Sequence, residues 1–261
     1  MTVVQERQDQ IIAILMEQQS VTVDELSRRF DVSTVTIRHD LNHMADRGRI
    51  VRTHGGARIG DSRDLQEIAF SKRQQTNMAE KSRIGRLAAS LVQTDESILL
   101  DGSSTAVAVA AALRQRAELG TVTVVTTGIW TALEMLGATH LDVVLAGGHL
   151  RDTTGTIGGM IAKDVLSRFR FQKGFLGAFG LTVEDGLMDG PLADLELKLA
   201  AVPRCQEVIA IVDSSKFGRM GLASFAATEE ICTIITGPAT ATEHLTPFQR
   251  AGINIEVADT A

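Results

Sequence analysis

Tyrosine is absent from the 261 residues, tryptophan occurs once, and all aromatics together make up 4%. Single-stranded nucleic acids are held largely by stacking bases on aromatic rings, so this chain has little with which to bind them. Cysteine occurs only at Cys205 and Cys232, too far apart for a metal-ligand pair. No two of the six histidines stand at zinc-ligand spacing with a carboxylate or cysteine, so neither a metal nor a cofactor is expected. Two isolated cysteines fit a reduced, bacterial-type cytoplasmic protein. Four prolines against 23 glycines favour tight strand-to-helix turns over a proline-rich assembly. No apolar run reaches the ~18 residues needed to span a bilayer, and MTVVQERQDQ lacks the features of a signal peptide, so no membrane partner is expected. The net charge of −6 argues against indiscriminate binding to nucleic acids.

The charge that is present is unevenly placed. Residues 1–60 hold eight Arg, no Lys and eight acidic residues, whereas residues 61–261 carry the whole −6. From Ser33 to Arg58 there are five Arg against two Asp. The hydrophobic periodicity changes at the same place. Up to about Arg47 three short helices are expected, with apolar stripes Ile11/Ile12/Leu15, Val23/Leu26/Phe30 and Ile37/Leu41/Met44. Beyond residue 96, β-rich runs alternate with helical ones: SILLD (97–101), VTVVTT (122–127), LDVVLA (141–146), EVIAIVD (207–213), CTIIT (232–236) and INIEV (253–257). Such alternation predicts a mostly parallel sheet covered by helices. The expected division is a helical domain over 1–58, a linker over 59–73 and an α/β domain over 74–261, with one helix spanning 74–93.

In the first part, Asp31-Val32-Ser33 forms a three-residue turn between two helices, and Ser33 suits the N-cap of the second. Helix, short turn, helix is the geometry that places a helix in the DNA major groove. With Ile37, Leu41 and Met44 facing inward, Val35, Arg38, His39 and Asn42 face out, and Thr34 and Thr36 flank the first turn. Arg suits guanine edges or phosphates, Thr suits phosphates and thymine methyls, and Asn suits adenine. The run from Arg49 to Gly56 reads as a short strand pair, a wing, placing Arg49, Arg52 and His54 for backbone or minor-groove contact. Spacing and charge alone also allow a plain three-helix bundle with a solvated Arg face.

In the second part, ILLDGSSTAVAVAAAL carries a strand through Asp101 and Gly102 into a helix that opens with Ser103-Ser104-Thr105. A helix N-terminus offers free N–H groups and partial positive charge, which suits a phosphate. Thr127-Gly128, Gly147-Gly148 with Arg151, and the run Ser214 to Gly218 with Lys216 follow other strands. In open α/β sheets ligands bind at the carboxyl ends of strands, where these segments lie. Asp194, Glu196 and Lys198 form a further cluster, with Asp194 and Lys198 at helical i, i+4 spacing. Each segment also has an ordinary structural reading as a turn, cap or salt bridge.

The run VTVDELSRRFDVSTVTIRHDLNHMADRGRIVRTHGGA resembles the winged helix–turn–helix of the DeoR family of bacterial transcription regulators. The resemblance continues through NMAEKSRIG (77–85), DGSST (101–105), TTG (126–128), GGHLR (147–151), EDGL (184–187), the Asp194/Lys198 pair and DSSKFG (213–218), which look like the DeoR-type sensor domain. It implies a sensor similar in fold to pentose-phosphate isomerases and coenzyme A transferases. It further implies double-stranded operator DNA as a partner, a phosphorylated sugar as effector, and homo-oligomers built from dimers. The chain departs from the family pattern at His39, where a second Arg is usual, at Gly102 and Thr127, where Ser and Asn are frequent, and at Phe179, where Asp is frequent. The expected function is a sequence-specific repressor of a carbohydrate-utilisation operon, not an enzyme. The alternatives are a sugar-phosphate isomerase with an accessory DNA-binding domain, for which no compact catalytic motif stands out, and a DNA binder whose sheet domain only oligomerises.

Overall fold

The computed structural model describes residues 3–18, 20–46, 50–58, 70–151, 154–190 and 192–258. The chain divides into two compact units, residues 1–68 and 69–261.

The first unit runs α1 (Val3–Gln18), β1 (Ser20–Thr22), α2 (Val23–Phe30), α3 (Thr34–Asp46), β2 (Val51–Arg52) and β3 (Gly56–Arg58). A reciprocal capping box starts α2: Glu25 N–H donates to Thr22 Oγ1, and Thr22 N–H donates to Glu25 Oε2. Asp31 ends it in the left-handed region at φ 51°. Ser33 then caps α3 by accepting from Thr36 N–H at 3.1 Å, so the three-residue turn is closed by the Asp31 backbone at one end and the Ser33 side chain at the other. Ile11, Ile14, Leu15, Val21, Leu26, Ile37, Leu41 and Met44 form one core. Ile14 supplies the α1 contact beside Ile11 and Leu15; the side chain of Ile12 lies outside those described. Arg7 Nε meets the buried Asp40 carboxylate at 2.6 Å and ties α1 to α3.

The three strands pair antiparallel in the order β1-β3-β2. The strand pair expected as a wing is therefore a three-stranded sheet, with β1 as an addition that three residues of sequence did not disclose. Gly56 is required here, because a Cβ on it would lie 2.0 Å from the Val21 carbonyl oxygen.

The second unit is built on a seven-stranded sheet. Its elements are α4 (Phe70–Gln75), α5 (Met78–Ser90), β4 (Ser97–Leu100), α6 (Ser104–Arg114), β5 (Val122–Thr126), α7 (Ile129–Glu134), β6 (Leu141–Leu145), β7 (His149–Leu150) and β8 (Ile157–Gly158). They continue as α8 (Met160–Arg168), β9 (Phe171–Leu176), β10 (Gly180–Thr182), β11 (Gly186–Asp189), α9 (Leu192–Ala201), β12 (Cys205–Ile211), β13 (Ala223–Ala226), β14 (Thr233–Thr236), α10 (Thr242–Arg250) and β15 (Asn254–Val257). The main sheet is parallel throughout, in the order β15-β14-β12-β9-β4-β5-β6.

Alternation along each strand sends successive side chains to opposite faces. Ile98, Val124, Ile209 and Ile235 join the core under α5 and α6, while Leu99, Val125, Ala210 and Ile234 join the core under α8, α9 and α10. The six strands expected from the sequence are β4, β5, β6, β12, β14 and β15. The seventh, β9, lies at the centre beside β4 and was not expected. Its run FQKGFL interrupts the apolar pattern with Lys173, which is nevertheless buried and ion-paired to Glu96, and with Gln172, which accepts from Ser97 N–H.

The single helix expected over 74–93 is split, because Asn77 takes the left-handed conformation at φ 53° between α4 and α5. Of the expected linker, residues 59–69 lie outside those described, and its end is helical in α4. From β4 the chain moves outward to β5 and β6, then returns to β9 on the other side of β4 and continues to β12. The β4/β9 boundary is the topological switch point, the place where open α/β sheets bind ligands. Among the described residues no helix is long and apolar enough to cross a membrane.

Candidate functional site

On the first unit, α3 presents Val35, Arg38, His39 and Asn42 to solvent, with Val35 70% exposed. Ser33 is exposed, and Thr34 and Thr36 are half-buried at the start of the helix. His54 is exposed on the β2–β3 turn, and Arg52 on β2 is half-buried. Arg49 lies outside the described residues. The structure brings two of the expected contacts together: Arg52 Nε donates to Asn42 Oδ1 at 3.1 Å. Burial, and then the neighbouring Arg38 charge, hold the Arg52 pKa below its ordinary value. Two cations at one edge of an exposed helix, next to a half-buried wing, make a surface suited to phosphates and guanine edges.

On the second unit, β4 leads into Asp101, whose Oδ1 accepts from Ser103 N–H at 3.0 Å and whose Oδ2 accepts from Gly177 N–H at 2.8 Å across the switch point. Ser103 Oγ caps α6 by accepting from Ala106 N–H. Gly102 and Gly128 allow the ends of β4 and β5 to close together, since a Cβ on Gly128 would lie 2.8 Å from Gly102 Cα. Thr127 is buried there, and its carbonyl accepts from Ile157 N–H at 2.7 Å. Gly147 and Gly148 are exposed in the loop between β6 and β7.

Asp194 and Lys198 do not pair with each other. Lys198 Nζ reaches Asp189 Oδ2 at 2.6 Å, the Gly177 carbonyl at 2.7 Å and Asp101 Oδ2 at 3.1 Å. Burial disfavours its charge, but Asp189 and Asp101 outweigh that and hold its pKa above the usual lysine range. Asp194 instead meets Arg151 Nη1 at 3.2 Å and Thr156 Oγ1 at 3.0 Å. Burial, and then Asp189, raise its pKa against the opposing Lys198 and Arg151. Two of the cations singled out from the sequence, Arg151 and Lys198, thus carry internal carboxylate partners.

Lys216 is in a different situation. It closes the turn Ser214–Lys216, which Asp213 caps at the end of β12 by accepting from Ser215 N–H at 3.0 Å. Burial lowers the Lys216 pKa to about 8; Asp213 opposes this, while Arg219, Lys81 and Arg73 add to it. The last three are functional candidates that the sequence did not single out. Lys81 is buried, donates to the Arg73 and Thr76 carbonyls and lies 3.8 Å from Asp213 Oδ2. Arg219 lies 3.6 Å over the Phe179 ring. Among the described residues, Arg73 Nε and Nη2 and Arg219 Nη2 are buried without a hydrogen-bond partner. The carboxylates close to this group among the described residues are Asp213 and Glu80, and Glu80 accepts from Ser214 N–H and Oγ. Four cations against two carboxylates leave positive charge in excess, and buried guanidinium N–H groups without acceptors are the complement of an oxyanion.

Comparison with known proteins places this geometry in a family. The profile described as the DeoR-like helix-turn-helix domain matches residues 7–68, and that of the DeoR C terminal sensor domain matches residues 76–238. The HTH-type transcriptional regulator GolR of Listeria innocua is 35% identical over 254 residues, covering 97% of this chain and 98% of that one. The glycerol-3-phosphate regulon repressor of Escherichia coli is 31% identical over 231 residues, covering 88% of this chain and 90% of that one. Among solved structures, ribose 5-phosphate isomerase A from Methanocaldococcus jannaschii superposes with a TM-score of 0.39 and 22% identity over 54% of this chain and 55% of that one. The chain belongs to the DeoR family of transcriptional regulators, and its relatives are named as regulators rather than enzymes.

Proposed function

We propose that this chain represses a carbohydrate-utilisation operon and that a phosphorylated sugar, bound in the second unit, sets its affinity for operator DNA. Residues 1–58 read the operator through α3 and the wing, and residues 74–261 hold the effector and join protomers into a homo-oligomer. The observation that carries the effector reading is the positive excess of Arg73, Lys81, Lys216 and Arg219, with buried N–H groups on Arg73 and Arg219 lacking acceptors. A phosphomonoester dianion supplies both the charge and the acceptors that this group lacks. The Escherichia coli relative named for a glycerol-3-phosphate regulon supports a phosphorylated effector.

Asp101, Gly102, Ser103, Ser104 and Thr105 lie at the switch point, where the rest of such a ligand would sit beside Thr127 and Gly128. Gly147, Gly148, Arg151, Asp194 and Lys198 support these loops, the last three through the ion pairs described above. The test is isothermal titration of the full chain with pentose, hexose, amino-sugar and sugar-acid phosphates, each beside its unphosphorylated parent. Saturable binding of one phosphorylated member, with no binding of its parent, supports the reading; equal binding of both overturns it.

A further inference from the structure

Asn42 stands on the exposed face of α3, one helical turn beyond Arg38. An asparagine reads adenine with both ends of its amide: the oxygen accepts from the base N6–H, and the nitrogen donates to N7. In this chain the oxygen is already engaged. Arg52 Nε is a donor with no lone pair, so the atom facing it at 3.1 Å is the amide oxygen, and the orientation of the amide follows from the chemistry of its partner. The same guanidinium uses Nη1 to donate to the Gly56 carbonyl on β3. One side chain therefore ties the recognition helix to both strands of the wing. Among the described residues Arg38 has no ion pair, and its charge acts on Arg52.

We infer that Arg52 is a positioning residue, which locks the wing to α3 through Asn42 and leaves Asn42 to meet DNA as a donor through Nδ2. The donor fits adenine or guanine N7, guanine O6, thymine O4 or a phosphate oxygen. The amide oxygen keeps a second lone pair, but its bond to Arg52 holds it toward the wing, which disfavours the bidentate adenine contact. Arg38 is then the cation at this edge that contacts DNA directly. This rests on the first unit being the DNA reader.

The experiment uses the full chain and a duplex recovered by selection with that chain from a randomised pool. Affinity is measured at fixed salt for Asn42→Ala, Arg52→Ala, the double variant and Arg52→Lys. Arg52→Ala is expected to weaken binding about tenfold, Asn42→Ala by more because it also removes the Nδ2 donor, and the double change no more than Asn42→Ala, because either one removes the whole link. Arg52→Lys is expected to behave like Arg52→Ala, since an ammonium lacks the fork that spans Asn42 and Gly56. It also serves as the test if Arg52→Ala melts the wing. Losses that multiply to about a hundredfold in the double variant, or a Lys variant that binds like the parent, would mean two independent contacts to DNA and overturn the inference. Repeating the selection with Asn42→Ala checks the donor role. Loss of a guanine or thymine preference, or of a preference for either purine, at one position supports it, and loss of a preference for adenine over guanine, which needs the bidentate contact, overturns it. A parent chain that selects no duplex overturns the DNA-reading assignment as well.

Discussion

The Arg219 guanidinium lies 3.6 Å over the face of the Phe179 ring. A carboxylate at that position would neutralise the arginine; an aromatic face orients it and leaves its charge in place. Arg219 thus stays cationic beside Lys216, which accounts for part of the depressed Lys216 pKa. Replacing Phe179 with Leu removes the platform while keeping the volume apolar. Affinity for a phosphorylated effector should fall about three- to tenfold, within the range of a partly buried cation–π contact, with operator affinity unchanged. Titration calorimetry and DNA binding on the same preparation check both halves.

Effector binding should depend on pH through Lys216. In the free protein its pKa is about 8, so it loses its proton as pH rises through that value. A bound phosphate favours the charged form and raises the pKa, so binding takes up a proton above pH 8. Affinity is then full below pH 8 and declines above it, by up to about tenfold per pH unit. The unfolded chain keeps this proton to roughly pH 10.4. Lys216 therefore opposes folding below pH 8, and this penalty lifts as pH rises from 8 toward 10. Titrations between pH 7 and 9 should show the decline in the parent and a flat profile in Lys216→Gln.

Lys198 should matter for stability rather than for recognition alone. It lies between Asp101 and Asp189, 3.1 and 2.6 Å from their carboxylates. Lys198→Met leaves two buried carboxylates facing each other without a cation, a loss of about 3 to 5 kcal/mol. Thermal unfolding at pH 7 should show the loss. Adding Asp189→Asn should recover part of it, since one of the stranded charges is then gone.

Gly56→Ala should disable the wing. Its Cβ would meet the Val21 carbonyl at 2.0 Å, a backbone clash that only separation of β1 from β3 relieves. Loss of the sheet that carries Arg52 and His54 should lower operator affinity by at least tenfold. Circular dichroism should still report α1, α2 and α3, and effector titration of the variant should match the parent.

What could be read from the sequence was local. Ser33 as a cap, the turn at Asp31–Ser33 and the three helical stripes depend on neighbours within a few residues, and they stand where periodicity put them, with Ile14 completing the first stripe. β1 could not be read this way, because three residues become a strand only by pairing with Gly56 to Arg58, far along the chain. The strand β9 was hidden by Lys173, whose burial makes sense only once Glu96 is seen beside it.

The cationic group around Lys216 shows the same limit. Lys216 stood out within SSKFG, but Arg73 and Lys81 belong to helices far from it in sequence and join it only in the folded unit. The spacing of Asp194 and Lys198 suggested a helical ion pair, whereas each reaches across to a different loop. The motifs EKS and DSSKFGR, read together, were the signal that could have assembled the site.

The most direct test of control by a phosphorylated sugar is fluorescence anisotropy of the full chain on its selected duplex. It is run at fixed salt, with and without the panel of sugar phosphates, for the parent and for Lys216→Gln. The expected result is a complex with affinity on the order of nanomolar that one phosphorylated sugar shifts about a hundredfold, in the parent but not in Lys216→Gln. A complex of the same affinity that no sugar phosphate moves, or one moved equally in both proteins, would contradict a phosphate-sensing site at Lys216.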